Sequence, residues 1–106
     1  MLDQVAVELL IWEGCPSHPR ALADLEAALA GRAEIVVREI LSEEDAVASE
    51  FPGSPTIRVD GADLFPVDDP PSLSCRVYRL ADGRFSPTPD PGELRERLRS
   101  RRATPR

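Results

Sequence analysis

The stretch Val5-Ala6-Val7-Glu8-Leu9-Leu10-Ile11-Trp12 constrains the fold more than any other part of the chain. It is apolar and rich in β-branched residues, with Glu8 as its only charge, which is the profile of a strand buried on both faces of a parallel or mixed sheet. Gly14 ends it, and the periodicity then changes. Leu22, Leu25 and Leu29 fall at helical spacing between about Pro19 and Ala30, Asp24 and Glu26 point elsewhere, and Gly31 follows as the stop, so an amphipathic helix is predicted here. Residues 34–41 read as a second strand. Ser42 followed by Glu43, Glu44 and Asp45 supplies an N-cap and three acids for a short helix to about Phe51.

The second half is punctuated by proline and glycine. Pro52-Gly53-Ser54-Pro55 breaks the helix, Thr56-Ile57-Arg58-Val59 reads as a third strand, and Asp60-Gly61 is a hairpin turn signal. Residues 61–74, with Pro66, Pro70 and Pro71, read as a long loop whose acids, with Asp60, are solvated. Residues 75–80 are expected to form a fourth strand, turning at Asp82-Gly83. Asp90-Pro91-Gly92-Glu93 combines a cap, a proline at the first helical position and a glutamate three beyond the cap, and Leu94 and Leu98 share one face of the helix it opens. The order β-α-β-α-β-β-α predicts an α/β domain with a four-stranded mixed sheet and helices on both faces. Residues 1–99 form one domain in this reading and 100–106 a flexible arginine-rich tail.

Charge and composition narrow the function. Residues 1–94 carry seven arginines against eighteen acids, a net −11, and residues 95–106 carry six arginines and Glu96, a net +5. An acidic body argues against nucleic acid as the main partner, since phosphate binding needs a basic face. The chain has no lysine, which removes a lysine Schiff base and a P-loop lysine. Its longest apolar run, Leu9 to Trp12, is far short of the roughly 20 residues of a membrane span, and Met1-Leu2-Asp3-Gln4 opens no secretory signal, so a cytoplasmic location without membrane association is expected. Two cysteines, Cys15 and Cys75, are too few for a disulfide framework, and sixty residues between them match no zinc-finger spacing. Redox chemistry, a nucleophile or packing remain.

The chemistry converges on Trp12-Glu13-Gly14-Cys15-Pro16-Ser17-His18-Pro19. Cys15 falls between the carboxyl end of the first strand and the first helix, the edge at which α/β sheets bind ligands. Free amides and the dipole at a helix start favour thiolate, the nucleophilic form. His18 lies about one turn further on and, protonated, would lower the Cys15 pKa further. The helix starts either at Cys15 or with Ser17 as its cap. Cys15 and His18 supply only two ligands where zinc takes three or four, so no metal site is assigned.

The element order, Trp12 before Cys15-Pro16-Ser17-His18, and Ser54-Pro55-Thr56 leading into the third strand together resemble the thioredoxin-like superfamily over residues 5–99. The resemblance implies that Cys15 attacks disulfides, that Pro55 is cis and beside the cysteine, and that the backbone before it pairs with substrate. Trp12, Pro16, Ser17, Ser54, Pro55 and Thr56 are then candidate substrate-binding residues, with Cys15 and His18 catalytic. The sequence departs from the family's Cys-x-x-Cys because His18 stands at the second cysteine. A monothiol cycle on a disulfide, a glutathione mixed disulfide or a peroxide is therefore expected, with glutathione as a co-substrate and a protein or small-molecule disulfide or thiol as partner. Cys75 is the alternative resolving thiol, although a fourth strand antiparallel to the third begins at the end of the sheet opposite Cys15, and only the 61–74 loop folding back could join them. Two further readings stand beside this one, a redox-inactive binding module and a soft-metal or organomercurial site using both cysteines.

Overall fold

The computed structural model describes residues 6–103. Its elements are β1 (Val7–Ile11), α1 (His18–Leu29), β2 (Ile35–Glu39), α2 (Glu43–Ala48), β3 (Thr56–Val59), β4 (Ala62–Asp63), β5 (Tyr78–Arg79), β6 (Phe85–Ser86) and α3 (Pro91–Ala103). The fold is α/β with three helices and a four-stranded mixed sheet of order β2-β1-β3-β4. β1 is central, parallel to β2 and antiparallel to β3, and β3 is antiparallel to β4.

Alternation along β1 divides the interior. Val7, Leu9 and Ile11 join Leu25 and Leu29 of α1 and Leu94 and Leu98 of α3 in the larger cluster, whereas Leu10 joins Ile40, Ala46 of α2 and Phe51 in a smaller one. Each fully buried leucine removes enough apolar surface from water to contribute about 1.5–3 kcal/mol. The caps follow the sequence. Ser42 Oγ accepts from the Asp45 amide at 3.0 Å, and Asp90 Oδ2 accepts from the Glu93 amide at 2.9 Å. α3 runs on to Ala103, into the stretch read as a tail, while residues 104–106 and the strand's expected start at Val5 lie outside the described residues.

One element differs from expectation. The fourth strand of the sheet is not residues 75–80 but Ala62–Asp63, directly after the Asp60-Gly61 turn. Both turn residues have positive φ, 53° and 86°, the geometry of a tight two-residue hairpin, so the next residues pair at once with Val59 and Arg58. Tyr78–Arg79 instead pairs with Phe85–Ser86 in a separate hairpin. Residues 74–76 are thereby freed from the sheet and dock elsewhere.

Candidate functional site

The site begins where β1 runs out. The Cys15 amide donates to the Trp12 carbonyl at 2.9 Å, closing a tight turn over Glu13 and Gly14. Gly14 is required there, because a Cβ would stand 2.7 Å from the Trp12 ring. Trp12 itself is half-buried and packs against the Leu10–Phe51 cluster. Ser17, not Cys15, is the N-cap of α1, and Pro19 sits in the first turn. Its hydroxyl makes no capping bond to the helix and lies 3.0 Å from Cys15 Sγ.

The opposite wall is the segment before β3. The Ser54–Pro55 peptide is cis, and residues 53–57 are buried. The Cys15 thiol donates to the Ser54 carbonyl at 3.4 Å. Cys15 is 1% exposed and Ser54 fully buried, so the sulfur faces protein on both sides. The Ser54 hydroxyl is buried without a hydrogen bond among the described residues.

Cys75 completes the group. The sequence placed it on a fourth strand starting at the far end of the sheet; the loop instead folds back, and Cys75 forms an isolated parallel bridge with Ser54. The Ser54 amide donates to the Ser74 carbonyl at 2.7 Å, and the Arg76 amide donates to the Ser54 carbonyl at 2.9 Å. The backbone that the resemblance offers to a substrate is thus occupied by the chain's own residues 74–76. Both cysteines are free thiols, Cys15 buried and Cys75 exposed.

Their protonation differs for physical reasons. Burial of Cys15 opposes ionisation and is the largest single influence. The Ser17 hydroxyl and amide, with the neighbouring Cys75 thiol and Ser54, together outweigh it and hold the thiol below the ordinary range. Cys75 is pushed up, first by the neighbouring Cys15 sulfur, then by desolvation, then by the negative charge on Cys15. Cys15 therefore gives up its proton more readily than Cys75. His18, half-buried at the first position of α1, makes no side-chain hydrogen bond among the described residues, and Pro16 is exposed.

Arg76, Asp63, Tyr78 and Gly53, which the sequence reading left out of the site, surround residues 74–76. Arg76 is 5% exposed; Nη1 donates to Thr56 Oγ1 at 3.1 Å and to Asp63 Oδ2 at 3.0 Å, and Nη2 donates to the Phe65 carbonyl at 2.7 Å. Its guanidinium lies 4.4 Å from the centroid of the Tyr78 ring. The Tyr78 hydroxyl donates to the Pro55 carbonyl, and burial holds its pKa well above the ordinary range. Thr56 Oγ1 donates in turn to the Gly53 carbonyl at 2.6 Å. Gly53 has φ of 134°, and a Cβ on it would stand 2.9 Å from Arg76 Cβ. Asp63, read as a solvated loop acid, is instead the partner of a buried arginine. The signal available in sequence was an arginine set between Cys75 and Tyr78 in an otherwise strand-like segment.

No group of three or more histidine, cysteine or acidic side chains that could hold a metal ion occurs among the described residues. No helix among them is long and apolar enough to cross a membrane. Comparison with protein-family models, with curated proteins and with solved structures finds no match for this chain.

Proposed function

We propose that the chain is a thioredoxin-like domain that exchanges two electrons with disulfides through Cys15 and Cys75. The observation that carries the reading is the placement of two free thiols against one residue, Ser54, with Cys15 Sγ 3.4 Å from its carbonyl and Cys75 bridged to its backbone. The sheet order β2-β1-β3-β4, with α1 and α3 packed into one cluster and α2 into the other, supports the thioredoxin-like arrangement with helices on both faces. The turn after β1 and the cis Ser54–Pro55 peptide meet at the same sulfur.

The adjacency favours a dithiol cycle over the monothiol cycle expected from His18 in the motif. One thiolate attacks a substrate disulfide RSSR, forming a mixed disulfide and releasing RS⁻. The second protein sulfur then attacks the first, its proton passing to a released thiolate, and the products are a Cys15–Cys75 disulfide and two molecules of reduced thiol. Two electrons move from the protein to RSSR; an excess of a low-molecular-weight thiol reverses the exchange. A binding module with an open groove fits less well, because both backbone groups of Ser54 are already engaged. The adjacency also favours a second reading, two-coordinate capture of a soft ion such as Cu(I) between two thiolates.

Reduced protein treated with one equivalent of oxidised glutathione tests the reading. Loss of both free thiols, with a peptide cross-linked between Cys15 and Cys75, is expected. Retention of both thiols overturns it, and a stable single glutathione adduct would return the monothiol cycle. Cu(I) bound tightly by a protein that does not react with disulfides would establish the second reading.

A further inference from the structure

Given the dithiol reading above, on which this inference rests, we propose that the exposed Cys75, rather than the buried Cys15, carries the mixed disulfide, and that Cys15 is the resolving sulfur. Three observations point the same way. Cys15 is 1% exposed, between Ser17 on one side and the Ser54 carbonyl on the other. Cys75 is exposed and is held over that site by backbone hydrogen bonds on both sides of it, Ser54 amide to Ser74 carbonyl and Arg76 amide to Ser54 carbonyl. Arg76, buried and bonded to Thr56, Asp63 and Phe65, prevents the segment from swinging clear. A reagent therefore meets Cys75 first.

The reverse reaction makes the assignment stronger. When an incoming thiolate RS⁻ attacks the Cys15–Cys75 disulfide, two sulfurs are available. Attack on Cys75 uses the accessible one and expels Cys15, whose thiolate is received by the Ser17 hydroxyl and amide. Attack on Cys15 would require entry into a closed site and would expel the sulfur whose charge is less well supported. Access and leaving-group stability, the two properties that decide which sulfur is attacked, select the same atom. Microscopic reversibility then places the mixed disulfide on Cys75 in the forward direction too. Cys75 gives up its proton, bonds one sulfur of RSSR and releases RS⁻. The Cys15 thiolate next attacks Cys75 Sγ, forms the intramolecular disulfide and releases the second RS⁻. In the first step the proton of Cys75 passes to Cys15, and it is lost to the first RS⁻ as Cys15 attacks, so that one RSH and one RS⁻ leave.

The test is an acid-quenched time course of the wild-type protein with oxidised glutathione, followed by peptide mapping, with Cys15→Ser, Cys15→Ala and Cys75→Ser run in parallel. Glutathione should map to Cys75 at the earliest times in the wild type. It should accumulate stoichiometrically on Cys75 in both Cys15 variants, the second of which guards against a misfolded first. It should add to Cys75→Ser at least tenfold more slowly than to either. Early glutathione on Cys15 in the wild type, or Cys75→Ser modified as fast as the wild type, overturns the order of attack while leaving the dithiol reading intact. A wild type that forms no Cys15–Cys75 disulfide overturns both.

Discussion

Cys15 and Cys75 flank the same residue, Ser54, and differ in almost everything else. Cys15 belongs to the frame of the fold: it follows the central strand, precedes α1 and is buried against β3's entrance. Cys75 belongs to no strand of the four-stranded sheet and reaches the site only because the segment after β4, residues 64–74, returns it there. The same sulfur chemistry is thus placed once by regular structure and once by a buried arginine. The first placement is robust because β1 has neighbours on both edges, and the second depends on a few polar contacts around Arg76.

The largest effect that separates the two halves is expected for Arg76→Ala. Removing the guanidinium breaks its ion pair with Asp63 and strips donors from the Phe65 carbonyl and Thr56 Oγ1, at about 1–3 kcal/mol for each, a combined loss that urea denaturation would register. A change below about 1 kcal/mol, inside the range typical of surface substitutions, would contradict the placement of Arg76 in the interior.

Tyr78→Phe comes next. It strips the donor from the buried Pro55 carbonyl and keeps the ring under Arg76, so a loss of about 1–3 kcal/mol is expected, again by denaturation. Retention of full stability would mean that the carbonyl has found another donor.

Ser17→Ala acts on protonation more than on stability, since the hydroxyl does not cap α1. A hydrogen bond to a charged acceptor is worth about 1.5–3 kcal/mol, so the reaction of Cys15 with iodoacetamide at neutral pH should slow by roughly tenfold or more, and its pH midpoint should rise. A midpoint that stays in place would remove Ser17 from the account. The sign for stability follows: a thiol whose folded pKa is lowered contributes stability fully present above the ordinary thiol range, about 8.5, and lost as pH falls through the folded value. Cys75 contributes in the opposite sense, with stability present below that range and lost as pH rises through its raised value. Cys15→Ser should therefore lower the Cys75 midpoint, because it removes the strongest influence that raises it. The smallest effect is expected for His18→Ala, which should leave the Cys15 profile unchanged, since the side chain bonded to that sulfur is Ser17.

The legibility of the chain follows the same division. β1, α1, β3 and both helix caps were readable because strand alternation, leucine spacing and Ser or Asp caps are local signals. Cys15 was readable for the same reason, since its position depends on the strand and helix that adjoin it. The position of Cys75 was not, because it is set by a contact between Arg76 and residues 56, 63 and 65, which no local periodicity encodes. The fourth strand was misassigned through a related cause. Residues 75–80 have strand-like composition, but the Asp60-Gly61 hairpin commits the two residues after it to the edge of β3. Ser17 was readable as a cap, yet its hydroxyl is turned toward the sulfur, a choice between two acceptable partners that only the packed structure resolves.

Unequal ionisation of the two thiols that flank Ser54 is tested most directly by a site-resolved alkylation profile. Wild-type protein is pulsed with iodoacetamide across a range of pH and the modified peptides are quantified separately for Cys15 and Cys75. A Cys15 midpoint below, and a Cys75 midpoint above, that of a free thiol is expected. Two coincident midpoints at the ordinary thiol value would contradict it.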